Sequence, residues 1–234
     1  MEKFKVFINF KTYPQGTGER AVGLVRELEK VSDGILLRQL ADQNDKKIEY
    51  IPIVQVVDVW RIKQETKLAV WVQNIDPYPQ GKFSGWTNLE AVVEAGAGGT
   101  LLSHSEHVIS PGLVKQALAR VGKLKVQSSK FKVMVCAKTL GQMERLVKLK
   151  PDYIGFEIAE LIGTKTSITA TNPKAIEHAV KICGNVPLIV GAGVNTSEDL
   201  VVARKLGAGG VLISSAVVLD NNPGEKLVEL IKGL

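Results

Sequence analysis

The chain has 234 residues, 45% hydrophobic and 23% charged, which is enough for one large buried core or two small ones. No apolar run approaches the ~18 residues of a membrane-crossing helix, so no membrane partner is expected. The net charge of +6 arises from 30 Lys and Arg against 24 Asp and Glu, but the lysines are scattered and aromatics are only 6%, which disfavours a nucleic-acid partner and suits a soluble surface or a field that steers small anions.

Short β-branched runs alternate with longer helical ones from the first residues onward. Met1-Glu2-Lys3-Phe4-Lys5 alternates charge with bulk and lacks a secretory core, so a cytoplasmic location is expected. A strand is predicted over 5–9 and an amphipathic helix over 18–31. The stretch 32–47 is longer than an ordinary connection and partly helical in pattern; it reads as a helix extension or an insertion. A strand at 50–54 precedes a short segment after Val56 of no clear type. Next come a strand at 69–73, a helix at 88–95 with Thr87-Asn88 as its start signal, and a strand at 99–103. A helix at 111–121, a strand at 131–136, a helix at 140–148 and a strand at 153–156 continue the series. The segment 158–169, with Gly163, Thr164, Thr166, Ser167 and Thr169, has the composition of a mobile lid. A helix at 173–183, a strand at 187–190, a helix at 197–206 announced by Asn195-Thr196-Ser197-Glu198, a strand at 209–213 and a helix at 223–234 complete the chain.

Eight strands, each followed by a helical segment, predict a single closed (β/α)8 barrel domain over 1–234. The near-continuous apolar character of 133–136 and 188–190 fits parallel strands covered on both faces. Cys136 and Cys183 lie in apolar stretches and read as buried thiols, not a disulfide.

In such a barrel the active site lies at the C-terminal ends of the strands. Asn9-Phe10-Lys11 ends the first strand, and alternation puts Asn9 and Lys11 on one side, toward the mouth. Lys11 there can hold an anionic oxygen by charge, or it can be an ordinary surface lysine. His104 follows the run Thr100-Leu101-Leu102-Ser103 and can polarise a substrate or sit as a satisfied rim residue. Glu106 reads as a supporting acid that can pair with a lysine across the mouth. Glu157 ends the sixth strand, where partial desolvation strengthens a carboxylate as a base; an ion-paired carboxylate is the other reading. A carboxylate and an imidazole converging on one cavity suit proton transfer next to a carbonyl.

Gly191-Ala192-Gly193 and Ile213-Ser214-Ser215-Ala216 end the seventh and eighth strands. Backbone N–H groups and a helix N-terminus at these two loops commonly hold phosphate, although tight turns also call for glycine. His107 and His178 read as surface residues. No spacing resembles a metal site, a Walker loop or a dinucleotide fingerprint.

With Asn9-Phe10-Lys11, His104-Ser105-Glu106, Glu157 with Leu161-Ile162-Gly163-Thr164, Gly191-Ala192-Gly193-Val194 and Ser214-Ser215-Ala216 in this order, the chain resembles the triosephosphate isomerase family, in its shorter archaeal form, over nearly its whole length. The resemblance implies that Glu157 removes the proton from the carbon beside the carbonyl and that His104, as a neutral imidazole, polarises that carbonyl. It implies that Lys11 and Asn9 stabilise the enediolate, that Glu106 supports the site, and that the backbone N–H groups of Gly163, Gly193, Ser214 and Ser215 hold the phosphate. A triose phosphate substrate, no cofactor, no metal and a homo-oligomer, dimer or tetramer, are implied with it.

Two departures stand out. Ile158-Ala159 occupies the place where the family usually has proline at the first hinge of the lid, and Lys165 replaces a common glycine. Two other functions stay open from the sequence. One is a phosphate-binding barrel lyase or epimerase, although the metal ligands or paired acids of an epimerase are not found. The other is a catalytically impaired barrel that binds a phosphometabolite or a partner surface, for which the altered hinge is the only support.

Overall fold

A computed structural model describes residues 3–34, 48–126, 130–157, 167–191 and 193–234. Residues 35–47, most of the expected extension or insertion, and 158–166, most of the expected lid with its Ile158-Ala159 hinge and Lys165, lie outside the described residues. Eight strands close in chain order into a parallel barrel: β1 (Phe4–Asn9), β2 (Ile48–Val54), β3 (Trp71–Val72), β4 (Gly99–Leu102), β5 (Lys132–Ala137), β6 (Tyr153–Phe156), β7 (Leu188–Val190) and β8 (Gly210–Ile213). Closure is made by β8 against β1, with Lys5 opposite Gly210 and Ile8 opposite Ile213.

The helices are α1 (Gly18–Ser32), α2 (Val59–Lys63), α3 (Leu89–Glu94), α4 (Pro111–Val126), α5 (Leu140–Val147), α6 (Ile168–Thr171), α7 (Pro173–Cys183), α8 (Ser197–Lys205), α9 (Ser215–Val218) and α10 (Pro223–Ile231). The unclear segment after Val56 is a 3-10 turn, Val56–Asp58, leading into the five-residue α2. Residues read as the end of the lid instead open α6, because the Ser167 hydroxyl accepts from the Ala170 N–H and caps a short helix. β3 is shorter than its apolar run. Ladder-like bonds from Gly98 N–H to Val70 O (2.8 Å) and from Gln73 N–H to Val54 O (3.1 Å) nevertheless flank it on both sides.

Alternation sorts the side chains into two cores. Phe7, Ile51, Ile53, Trp71, Leu101, Met134, Cys136, Tyr153, Ile189 and Leu212 fill the inside of the barrel. Val6, Ile8, Val133, Val135, Ile154 and Val190 point outward, where they pack in the larger cluster with helix residues such as Leu24, Val25, Leu28 and Ile176. Both faces of each strand are therefore apolar, as parallel sheets require. Each fully buried Leu, Ile or Phe contributes about 1.5–3 kcal/mol relative to exposure. Inside the barrel, Phe7, Trp71 and Tyr153 meet with ring centroids 5.0, 5.6 and 5.8 Å apart. Gly99 makes room for that cluster, since a Cβ there would lie 2.4 Å from the Trp71 indole. The interior is filled by side chains, and β1, β4 and β6 end in polar residues at the mouth.

Helix ends follow the expected caps. Asn88 accepts from Ala91 N–H at the start of α3, and Thr196 with Asp199 forms a reciprocal capping box on α8. Cys136 and Cys183 are both buried and free.

Candidate active site

β1 delivers Asn9 to the mouth, where its side chain is buried at 4% exposure. Lys11 is past the strand end and gets there by a different route from strict alternation. Its backbone is left-handed, φ 48°, a conformation that costs a non-glycine residue about 1–3 kcal/mol. Two hydrogen bonds hold it: Lys11 N–H donates to Asn9 Oδ1 (3.0 Å), and Gln73 Nε2 donates to Lys11 O (2.7 Å). Lys11 Nζ then meets Glu106 Oε1 at 2.5 Å across 95 positions of sequence. Glu106 is half exposed, so the pair adds at most about 1 kcal/mol to stability. Its effect is to hold the ammonium beside His104.

His104 also reaches the mouth through a left-handed residue. Leu101 points into the barrel and Leu102 points outward. Strict alternation would send His104 outward with Leu102. Ser103, at φ 56°, reverses the direction, and its hydroxyl is tied to the backbone of Ile109. His104 is 7% exposed. Its Nδ1 accepts the backbone N–H of Glu106 (3.2 Å), so that nitrogen carries a lone pair and the ring proton sits on Nε2. Nε2 faces Glu157 Oε1 at 3.1 Å.

Glu157 follows β6 and points inward in register with Tyr153 and Gly155. It is 4% exposed, and its Oε2 is buried without a hydrogen-bond partner among the described residues. Such an orphan is unusual, since leaving a buried polar atom unpaired costs about 1–3 kcal/mol. Below it, burial pushes the Cys136 thiol well above its usual range, and the charge of Glu157 adds to the effect. Gly191, at the end of β7, leaves space for Glu157: a Cβ there would sit 2.9 Å from Glu157 Cγ and 3.3 Å from Oε1.

β8 adjoins the same site. Ser214 Oγ donates to the Asn9 carbonyl at 2.7 Å, and Ser215 opens α9, in which the Val217 and Val218 N–H groups turn back to the Ser214 carbonyl. Gly193, at φ 72°, lies in the loop after β7, and its carbonyl accepts from Asn195 Nδ2 (2.6 Å). Gly163 falls outside the described residues. His107 and His178 are exposed. No group of three or more His, Cys, Asp or Glu side chains is arranged to hold a metal among the described residues.

The structure thus brings Asn9, Lys11, His104, Glu106 and Glu157 into one connected cluster, with Ser214 at its edge. Sequence reasoning passed over Gln73. It is a polar residue at the end of an apolar strand, and the rule that selected Asn9 would have selected it as well. It also passed over Asp199, a helix-cap acid with no local signal beyond its cap.

Comparison with known proteins agrees in extent with this geometry. A family model described as triosephosphate isomerase matches residues 4–233, which takes in all eight strands. Similar proteins described as triosephosphate isomerase include one from Methanobrevibacter smithii, 30% identical over 233 residues and 98% of both chains. Others come from Saccharolobus solfataricus (35% identical over 96% of this chain and 92% of that one) and Sulfurisphaera tokodaii (33% identical, 96% and 92%). A closed eight-stranded barrel matched from its first strand to its last helix, with near-full-length relatives of one description, places the chain in the triosephosphate isomerase family of isomerases.

Proposed function

We propose that this chain, as a single barrel domain, interconverts dihydroxyacetone phosphate and D-glyceraldehyde 3-phosphate by proton transfer through an enediolate. The observation that carries the mechanism is Glu157: a buried carboxylate with Oε1 at 3.1 Å from His104 Nε2 and Oε2 without a hydrogen-bond partner among the described residues. A base that takes a proton from carbon needs an unoccupied lone pair. Glu157 removes the proton from the carbon beside the carbonyl and returns it to the neighbouring carbon. His104 presents Nε2–H to the carbonyl oxygen as a neutral donor, the role assigned to histidine in the triosephosphate isomerases themselves. The backbone bond from Glu106 to Nδ1 supports that tautomer. Lys11 Nζ, held by Glu106, supplies positive charge for the oxygen that becomes anionic, and Asn9 adds a polar contact beside it.

The phosphate is held by the backbone N–H groups of Gly193, Ser214 and Ser215, joined by Gly163. Support comes from the placement of β8 against Asn9 and of β7 against Glu157. The reaction places the protein in glycolysis and gluconeogenesis, in the cytoplasm. No described helix is long and apolar enough to cross a membrane. Val57, Trp60, Phe83 and Trp86 expose apolar surface on the segments that follow the neighbouring strands β2 and β3, which favours a homo-oligomer.

A coupled isomerase assay with D-glyceraldehyde 3-phosphate tests this reading. Wild-type protein turns the substrate over, and Glu157→Gln stays folded but loses roughly two to four decades of rate, the scale of a lost general base. An inactive wild type, or a variant of near-full rate, overturns it.

A further inference from the structure

Asp199 is a helix-cap residue by sequence, yet it is bonded far beyond what a cap requires. Its carboxylate is 5% exposed and accepts five hydrogen bonds, two on Oδ1 and three on Oδ2. Oδ2 takes Asn195 N–H (3.0 Å), Thr196 N–H (2.9 Å) and Thr196 Oγ1 (2.8 Å), which suffices for the capping box on α8. Oδ1 takes the hydroxyls of Ser167 and Thr169, which belong to the start of α6 and do nothing for that cap. One buried anion therefore ties the loop after β7 to the segment that re-enters the fold at α6. Burial alone would raise its pKa, but the donors from Ser167, Thr169, Asn195 and Thr196 outweigh it and hold the carboxyl below its usual range.

The same loop carries Gly193. A left-handed glycine has no Cβ to restrict it, so its orientation depends on what its backbone bonds. Here the Gly193 carbonyl accepts from Asn195 Nδ2 at 2.6 Å, and Asn195 is in turn held to Asp199 through its own N–H. Asp199, Asn195 and Gly193 form a chain of two hydrogen bonds that ends at the loop assigned to the substrate's phosphate.

We propose that Asp199 is a positioning residue for anion binding: through Asn195 it sets the orientation of the Gly193 turn against a phosphate. This rests on the phosphate-binding part of the functional reading above. Asp199 itself touches no substrate. Its loss weakens binding of the phosphate group more than it slows the chemical step, because Glu157 and His104 are not part of this chain of bonds.

The test measures inorganic phosphate binding by calorimetry, together with KM and kcat for D-glyceraldehyde 3-phosphate. Asp199→Asn raises the phosphate Kd and KM by about tenfold, the effect of one lost charge-assisted hydrogen bond, and changes kcat by less than about threefold. Asn195→Ala, which leaves the α8 capping box in place, shifts both in the same direction and decides the matter if Asp199→Asn does not fold. Thr139→Ala removes the side-chain cap of α5, which is no part of this chain of bonds, and serves as the structural control. It lowers Tm but leaves Kd and KM unchanged. The proposal is overturned if folded Asp199→Asn, or Asn195→Ala, binds phosphate like wild type, or if Thr139→Ala weakens phosphate equally. It is also overturned if wild type does not bind phosphate. A wild type that binds phosphate but does not isomerise sinks the functional reading alone, since the phosphate titrations still decide the role of Asp199.

Discussion

Replacing Gly191 with alanine sets one methyl group against Glu157, the proposed base. The added Cβ would lie 2.9 Å from Glu157 Cγ, 3.3 Å from Oε1 and 3.5 Å from Cδ. Carbon atoms in ordinary contact rest about 3.5–4.0 Å apart, so Glu157 must retreat by roughly 0.6–1.1 Å. Gly191 is not among the glycines at positive φ, so alanine meets no backbone strain, and the contact alone is tested. Overpacking of this kind costs about 1–3 kcal/mol of stability, which a domain of this size survives. For catalysis the displacement matters more. A misplacement of about 1 Å can cost on the order of 10²-fold in rate, equivalent to about 2.7 kcal/mol of barrier. The expected result for Gly191→Ala is a folded protein with kcat lowered by roughly 30- to 100-fold, because the displacement range brackets that case. Affinity for inorganic phosphate should stay within about twofold, since the methyl points at the base and not at the Gly193 turn. Steady-state kinetics in both directions, a phosphate titration and a melting curve on the same preparation make the check. A kcat within threefold of wild type, with the fold intact, would refute the reasoning. So would a loss of phosphate affinity matching the loss of rate, because the loop and not the base would then have moved.

Two further outcomes follow from the buried titratable groups. The Asp199 carboxyl is held below its ordinary value in the folded protein, so its contribution to stability is present above the unfolded carboxyl's range near pH 4 and is lost as pH falls through the lower folded value. The Tm gap between wild type and Asp199→Asn should be constant at neutral pH and shrink below about pH 4; a gap that widens with acid would contradict the sign. Burial pushes the Cys183 thiol up to about 12 and the Cys136 thiol well above its usual range, so neither should react with a disulfide reagent at pH 8 in the native protein, and both should react on unfolding. Native-state labelling of Cys136 would mean that the space beneath Glu157 opens to solvent.

The strands and most helices were legible in the sequence because their signals are local. Runs such as Val133–Cys136 are apolar on both faces, and caps such as Asn88 and Thr196 act within three residues of themselves. Asn9 and Glu157 were also legible, since each continues the inward parity of its own strand. What lay beyond local pattern was decided by the closed barrel. Alternation alone points His104 away from the mouth, and only the left-handed turn at Ser103, tied to Ile109, brings it back. Lys11 depends on a similar turn, held by Gln73 from a strand more than sixty residues away. Asp199 gathers hydroxyls from 30 and 32 residues upstream, and no period or spacing in the chain marks them as its partners. Gly191 reads as a turn glycine until β7 is seen to pass against Glu157. Side-chain parity and capping depend on neighbours in sequence; the direction of a left-handed residue and the meeting of distant polar groups depend on neighbours in space, which barrel closure alone supplies.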